Sequence, residues 1–112
     1  MNELIASDGR RVPLDDQGYL VDIDAWAPWV AEAMASDDDI ELTERHWAVI
    51  DMLRAYYREY DIAPPMRALL KIAAARLGED FADSRQLYRL FPDGPARQAC
   101  RYAGLPKPVS CI

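Results

Sequence analysis

Two cysteines, Cys100 and Cys111, are the side chains of this sequence best suited to covalent chemistry. Cys111 lies one residue from the end of the sequence, in Leu105-Pro106-Lys107-Pro108-Val109-Ser110-Cys111-Ile112, where few apolar side chains can hold it down. A thiol in such a place is exposed to oxidation, so its reactivity needs an account. Pro106 and Pro108 bar a helix and favour extended, polyproline-like backbone. Seven residue steps lead from Gly104 to Cys111; at ~3.1 Å per residue the arm reaches about 20 Å, enough to enter another protein's cleft. Its stiffness lowers the entropy lost on insertion.

Cys100 has two open readings. Ala96, Ala99, Cys100 and Ala103 form an apolar stripe at helical spacing, which suits a buried cysteine acting as a small hydrophobe. Arg97 and Arg101 flank it in helical space and Lys107 lies on the arm, and positive charge stabilises a thiolate. If the arm folds back, Cys111 has the chain length to reach Cys100, and a bond between them would be a reversible redox state.

The elements that must position these thiols are mainly helical. Leu4-Ile5-Ala6 and Arg11-Val12 flank Asp8-Gly9, the pattern of a β-hairpin with a type I′ turn. A polar turn, Asp15-Asp16-Gln17-Gly18, precedes Tyr19-Leu20-Val21. Asp24 is expected to cap a first helix that has Pro28 in its first turn and ends at Asp37-Asp38-Asp39. Thr43 is expected to cap a second helix, with Trp47, Ile50, Leu53, Tyr57 and Tyr60 as its buried stripe. After Asp61-Ile62-Ala63-Pro64, Pro65 opens a third helix, Met66 to Leu77, closed by Gly78. Gly78 to Asp83 is a polar connection. Ser84 is expected to cap a short fourth helix stopped by Pro92, and Asp93-Gly94-Pro95 opens a fifth that ends at Gly104. The fold class is thus mainly α: one domain over 1–112, with a hairpin region (1–21), a bundle of about five helices (24–103) and a flexible C-terminal arm (104–112). Trp29, Ile50, Leu53, Leu70, Leu87 and Phe91 are expected in the core, and 105–112 as the most mobile stretch.

Composition narrows the function classes. The 112 residues suffice for one core without disulfide or metal. No apolar run approaches the ~20 residues of a membrane span, and Met1-Asn2-Glu3-Leu4 lacks the features of a secretory signal, so a cytoplasmic protein is expected. Residues 1–61 carry 15 acids and 5 bases, a net of −10, and residues 62–112 carry 4 acids and 8 bases, a net of +4. A chain this acidic is a poor general binder of nucleic acid. His46 is the single histidine, so a His-based metal cluster is excluded, and a packing or partly exposed residue beside Trp47 at the start of a helix is expected. No Gly-rich phosphate loop or hydrolytic triad is visible, and no cofactor is expected. The second and third helices, with Arg67, Lys71 and Arg76 on the latter, loosely match a helix-turn-helix, which leaves DNA binding as a remote alternative.

Three stretches together resemble the DsrC/TusE family: Ser84-Arg85-Gln86-Leu87-Tyr88-Arg89-Leu90-Phe91-Pro92; Gly94-Pro95-Ala96-Arg97-Gln98-Ala99-Cys100; and Ala103-Gly104-Leu105-Pro106-Lys107-Pro108 followed by Cys111. Gly18-Tyr19-Leu20, His46-Trp47 and Ile62-Ala63-Pro64 also fit, so the resemblance covers essentially the whole chain. It implies a sulfurtransferase-type carrier that holds persulfide sulfur on Cys111. In TusE-type members the donor is a small relay complex (TusBCD or DsrEFH type), and the sulfur passes toward the enzyme that 2-thiolates the tRNA wobble uridine. In DsrC-type members the arm docks into dissimilatory sulfite reductase, and a second cysteine matches Cys100. Cys100 argues for the DsrC branch, whereas the length of the Gly78–Asp83 connection fits TusE and sulfur-oxidiser DsrC forms alike. The resemblance implies no membrane partner and no direct nucleic-acid contact.

Overall fold

The computed structural model describes residues 2–108, and Cys111 lies outside the described residues. Strands β1 (Asn2–Ile5) and β2 (Arg11–Leu14) pair antiparallel, with Leu4 opposite Val12 and both side chains buried. The turn differs from the expected type I′. The Gly9 N–H donates to the Ala6 carbonyl (3.0 Å) and the Ala6 N–H to the Arg10 carbonyl (2.7 Å), and of Asp8 and Gly9 only Gly9 has positive φ. This is a three-residue loop with one left-handed residue, so Asp8 escapes the strain a type I′ turn would impose.

A 3₁₀ turn, Ile23–Ala25, precedes α1 (Pro28–Asp37). The expected cap moves here: Asp22 caps the 3₁₀ turn, accepting from the Asp24 N–H at 3.0 Å, and α1 starts from Ala27 with no side-chain cap. Pro28 forces the residue before it into extended backbone, so the helix cannot begin earlier. Helix α2 (Glu44–Tyr60) starts at Thr43 as expected, but its buried stripe is His46, Val49, Ile50, Met52 and Leu53. Trp47 and Tyr57 flank that stripe and Tyr60 is exposed. Seventeen residues span about 25 Å, so the last turn of α2 overruns the core.

Helix α3 (Met66–Leu77) has the expected bounds and ends at Gly78. The following connection holds a 3₁₀ turn, Glu79–Phe81, that buries Phe81. Helix α4 (Ser84–Leu90) is capped by Asp83 rather than Ser84: the Asp83 carboxylate accepts from the Arg85 N–H at 2.9 Å, and Ser84 is the first helical residue. Helix α5 (Pro95–Tyr102) packs against each of the other four. Eight residues make no stable helix alone. Its small inward residues, Ala96, Ala99 and Cys100, admit the neighbouring backbones closely, so α5 is held by its surroundings.

Ile50, Leu53, Leu87 and Phe91 are fully buried as expected. Trp29 and Leu70 are only half-buried at the margin of the core, and the Arg10 guanidinium covers the Trp29 ring. Among the described residues no helix is long and apolar enough to cross a membrane.

Candidate functional site

The root of the arm is locked, not loose. The Leu105 N–H donates to the Cys100 carbonyl (3.0 Å) and the Gly104 N–H to the Arg101 carbonyl (3.1 Å), with Gly104 at φ 76°. This is a Schellman closure, which satisfies the last carbonyls of α5 and turns the chain off its axis. Two side chains finish the job. The Trp26 Nε1–H donates to the Tyr102 carbonyl (2.8 Å), and Arg54 Nη1 donates to the Ala103 carbonyl (2.8 Å) while its guanidinium stacks 4.0 Å from the Trp26 ring centroid. A cation at a helix C-terminus is favourably placed. Leu105 is 1 % exposed, so the arm leaves the core surface only at Pro106. Gly104 and Leu105, expected in a free arm from 104 onward, belong to the packed body.

Cys100 sits on the inner face of α5 and is fully buried. Burial pushes its thiol up to about 12. The expected thiolate stabilisation by neighbouring arginines therefore loses to desolvation. Arg97 is exposed and Arg101 turns outward to Asp38. The sign of the pH effect follows. The unfolded thiol ionises near its ordinary 9, the folded one near 12, so below pH 9 the full stability is present and it falls as pH rises through that window. The expected loss is roughly 1 kcal/mol per pH unit. Urea unfolding at pH 8 to 11 should show the wild type losing stability faster than Cys100→Ala by that slope; parallel curves would contradict the assignment.

Asp38 was legible in the sequence only as part of an acidic helix end, yet it joins α1 to α5. Its Oδ2 accepts from Arg101 Nη2 (2.5 Å), the Tyr102 hydroxyl (2.5 Å) and Gln98 Nε2 (3.3 Å). Gln98, buried, accepts in turn from the Asp93 N–H at 2.8 Å. Burial, reinforced by the hydrogen bond to Asp38, raises the Tyr102 phenol, so it stays a donor. Each buried polar group thus has a partner, the condition for such a network to stabilise. His46 has the packing role and is buried. Its Nδ1 accepts from the Thr43 N–H (3.0 Å), so Nε2 carries the proton and donates to the Leu90 carbonyl (2.8 Å), with the ring edge-on to Phe91.

Above α5 opens a cleft of about 290 Å³, with Tyr19, Arg97, Arg101 and Lys107 on its walls. Both cysteines singled out from the sequence are thus tied to α5: Cys100 lies inside it, and the chain toward Cys111 departs from its locked end.

The family model described as "DsrC like protein" matches residues 6–112. The chain is 46% identical over 109 residues to the sulfurtransferase TusE of Pectobacterium atrosepticum, covering 97% of this chain and 100% of the relative. It is 48% identical over 105 residues to the sulfurtransferase TusE of Yersinia pseudotuberculosis, covering 94% and 97%. Among solved structures it is similar to the NMR structure of Allochromatium vinosum DsrC, with 50% identity, a TM-score of 0.90 and full coverage of both chains. It is also similar to the crystal structure of the oxidized gamma-subunit of the dissimilatory sulfite reductase (DsrC) from Archaeoglobus fulgidus, with 44% identity, a TM-score of 0.83 and coverage of 99% and 100%.

Proposed function

The chain belongs to the DsrC-like protein family and is a sulfur carrier of the relay type, and from that premise we propose that Cys111 is the thiol that carries the sulfur, as a persulfide. One observation carries the assignment. The sequence has two cysteines, and Cys100 is sealed in the core with its thiol near 12. Persulfide transfer needs an accessible thiolate, which an unburied cysteine near its ordinary value supplies to a few per cent at neutral pH.

The step needs little apparatus. The Cys111 thiolate attacks the outer sulfur of a donor persulfide, the donor S–S bond breaks, and the donor cysteine leaves as thiolate. Sulfane sulfur and its proton now sit on Cys111, with no net oxidation. The same step in reverse, on an acceptor thiol, passes the sulfur on. The protein's own contribution is aim: the Schellman closure and the Trp26–Arg54 clamp fix where the arm begins and in which direction it leaves.

We place the carrier in a relay toward tRNA wobble-uridine 2-thiolation, fed by a TusBCD- or DsrEFH-type donor complex. A second reading, partnership with a dissimilatory sulfite reductase using Cys100 and Cys111, is favoured by the presence of Cys100 and by the 50% identity to Allochromatium vinosum DsrC.

The test starts from reduced protein and a persulfidated donor. The intact chain is expected to gain the mass of one sulfur atom and to lose it with reductant. Trypsin separates the two thiols, because Cys100 falls in the peptide 98–101 and Cys111 in 102–112. The added mass belongs on the second peptide; finding it on the first sinks the assignment. Offering the loaded protein to a tRNA thiolase and to a sulfite reductase then decides which reading of the acceptor survives.

A further inference from the structure

The cleft above α5 has the makings of a binding site independent of the arm's thiol. Tyr19 is held over it by a tight turn: the Asp15 carboxylate accepts from the Tyr19 N–H (2.9 Å) and the Asp15 N–H donates to the Tyr19 carbonyl (2.8 Å). Tyr19 is buried over most of its surface and belongs to the cleft wall; its hydroxyl has no hydrogen-bond partner among the described residues and is reached by solvent. A hydroxyl that solvent reaches, on a wall shared with three cations, is free to donate to an anion entering the cleft. Around it stand Arg97 and Lys107, neither paired with an acid among the described residues, and the amide of Gln17. Arg101 is there too, with part of its charge spent on Asp38. One acid, Asp93, opposes them.

Apart from Asp93 and the side-chain carbonyl oxygens of Gln17 and Gln98, the polar groups of the lining side chains offer hydrogen-bond donors, and the cations outnumber the acid. Burial raises the Tyr19 phenol, and the Arg97 and Arg101 charges offset this only in part, so the hydroxyl keeps its proton through the neutral range. A guanidinium fork matches two oxygens of an oxoanion, and an ammonium serves as a point charge beside it. We propose that this cleft binds a small oxoanion of the sulfate, sulfite or phosphate class, held between Arg97 and Lys107 with the Tyr19 hydroxyl donating to one oxygen. The cleft is open to solvent and Asp93 works against the ligand, so the affinity belongs on the order of a millimolar.

The test is an amide-shift titration of the reduced, unloaded full chain with sodium sulfate, sulfite, phosphate and chloride at constant ionic strength. Saturating shifts confined to Gly18, Tyr19, Arg97 and Gln98 are expected with the oxoanions and not with chloride. Preference for sulfite or sulfate marks a sulfur oxoanion as the ligand; preference for phosphate marks a phosphate-bearing one. Arg97→Ala is expected to weaken binding about tenfold and Tyr19→Phe about fivefold. Asp93→Asn is expected to tighten it about threefold, an effect of opposite sign that general damage to the fold would not produce. Equal shifts with chloride, or an Arg97→Ala variant that binds as the parent does, would overturn the proposal. The same titration on Cys111→Ser should be unchanged, which keeps this outcome separate from the fate of the carrier assignment.

Discussion

Cys111→Ser is expected to abolish persulfide loading, while Cys100→Ala keeps the parent rate to within about twofold. A serine hydroxyl is not ionised at neutral pH and cannot hold sulfane sulfur, so no residual route through residue 111 remains. Alanine is the better probe at position 100, because a serine there would bury a hydroxyl among apolar neighbours. Cys100→Ala should also remove any Cys100–Cys111 disulfide from the product mixture. Since Cys100 is sealed under its neighbours, such a bond requires local opening around α5 and should form more slowly than the persulfide. Intact-mass time courses of the three proteins read all of this. If Cys100→Ala abolished loading and Cys111→Ser tolerated it, the carrier would lie on α5 and the arm would be reduced to a cover.

Gly104→Ala is expected to destabilise the protein by about 3 kcal/mol, through two additive causes. Left-handed backbone at φ 76° costs an L-residue roughly 1–2 kcal/mol. The new Cβ would also lie 2.5 Å from Trp26 Cδ1 and 2.9 Å from Cγ, so Trp26 must move. That motion breaks its hydrogen bond to the Tyr102 carbonyl and its stacking with Arg54, worth about 1 kcal/mol or more together. Gly9→Ala is the closer control: the left-handed residue of the hairpin turn too has positive φ, at 93°, but nothing lies within 4 Å of its added Cβ. Urea unfolding should separate the two variants by the contact contribution. Equal losses would mean that Trp26 does not brace the arm's root.

Much of the fold was legible because local chemistry decides it. Pro65 and Gly78 bracket α3 at its observed ends, Thr43 starts α2, and Gly9 marks the hairpin. These signals act through backbone dihedrals and nearby hydrogen bonds, which a neighbour in sequence controls. The misplaced caps at Asp24 and Ser84 are local as well. At the first, the constraint of Pro28 on Ala27 outweighed a capping carboxylate; at the second, two adjacent capping residues competed and Asp83 took the position.

For the site, the sequence by itself determined which atoms can do the chemistry: two thiols, one on a helix and one beyond a proline-bearing arm. Tertiary structure decided what each thiol can be. Ala96, Ala99, Cys100 and Ala103 read equally well as a core stripe or as a reactive helix face, because periodicity reports a face and not what covers it. Only the convergence of four helices on α5 buries that face and raises the Cys100 thiol. The same holds for Asp38, whose partners Arg101 and Tyr102 lie more than sixty residues away. It holds also for Leu105, whose place in the packed body depends on Trp26 and Arg54 meeting the end of a distant helix. Burial and long-range pairing are properties of the assembled chain, since desolvation exists only once the neighbours have arrived.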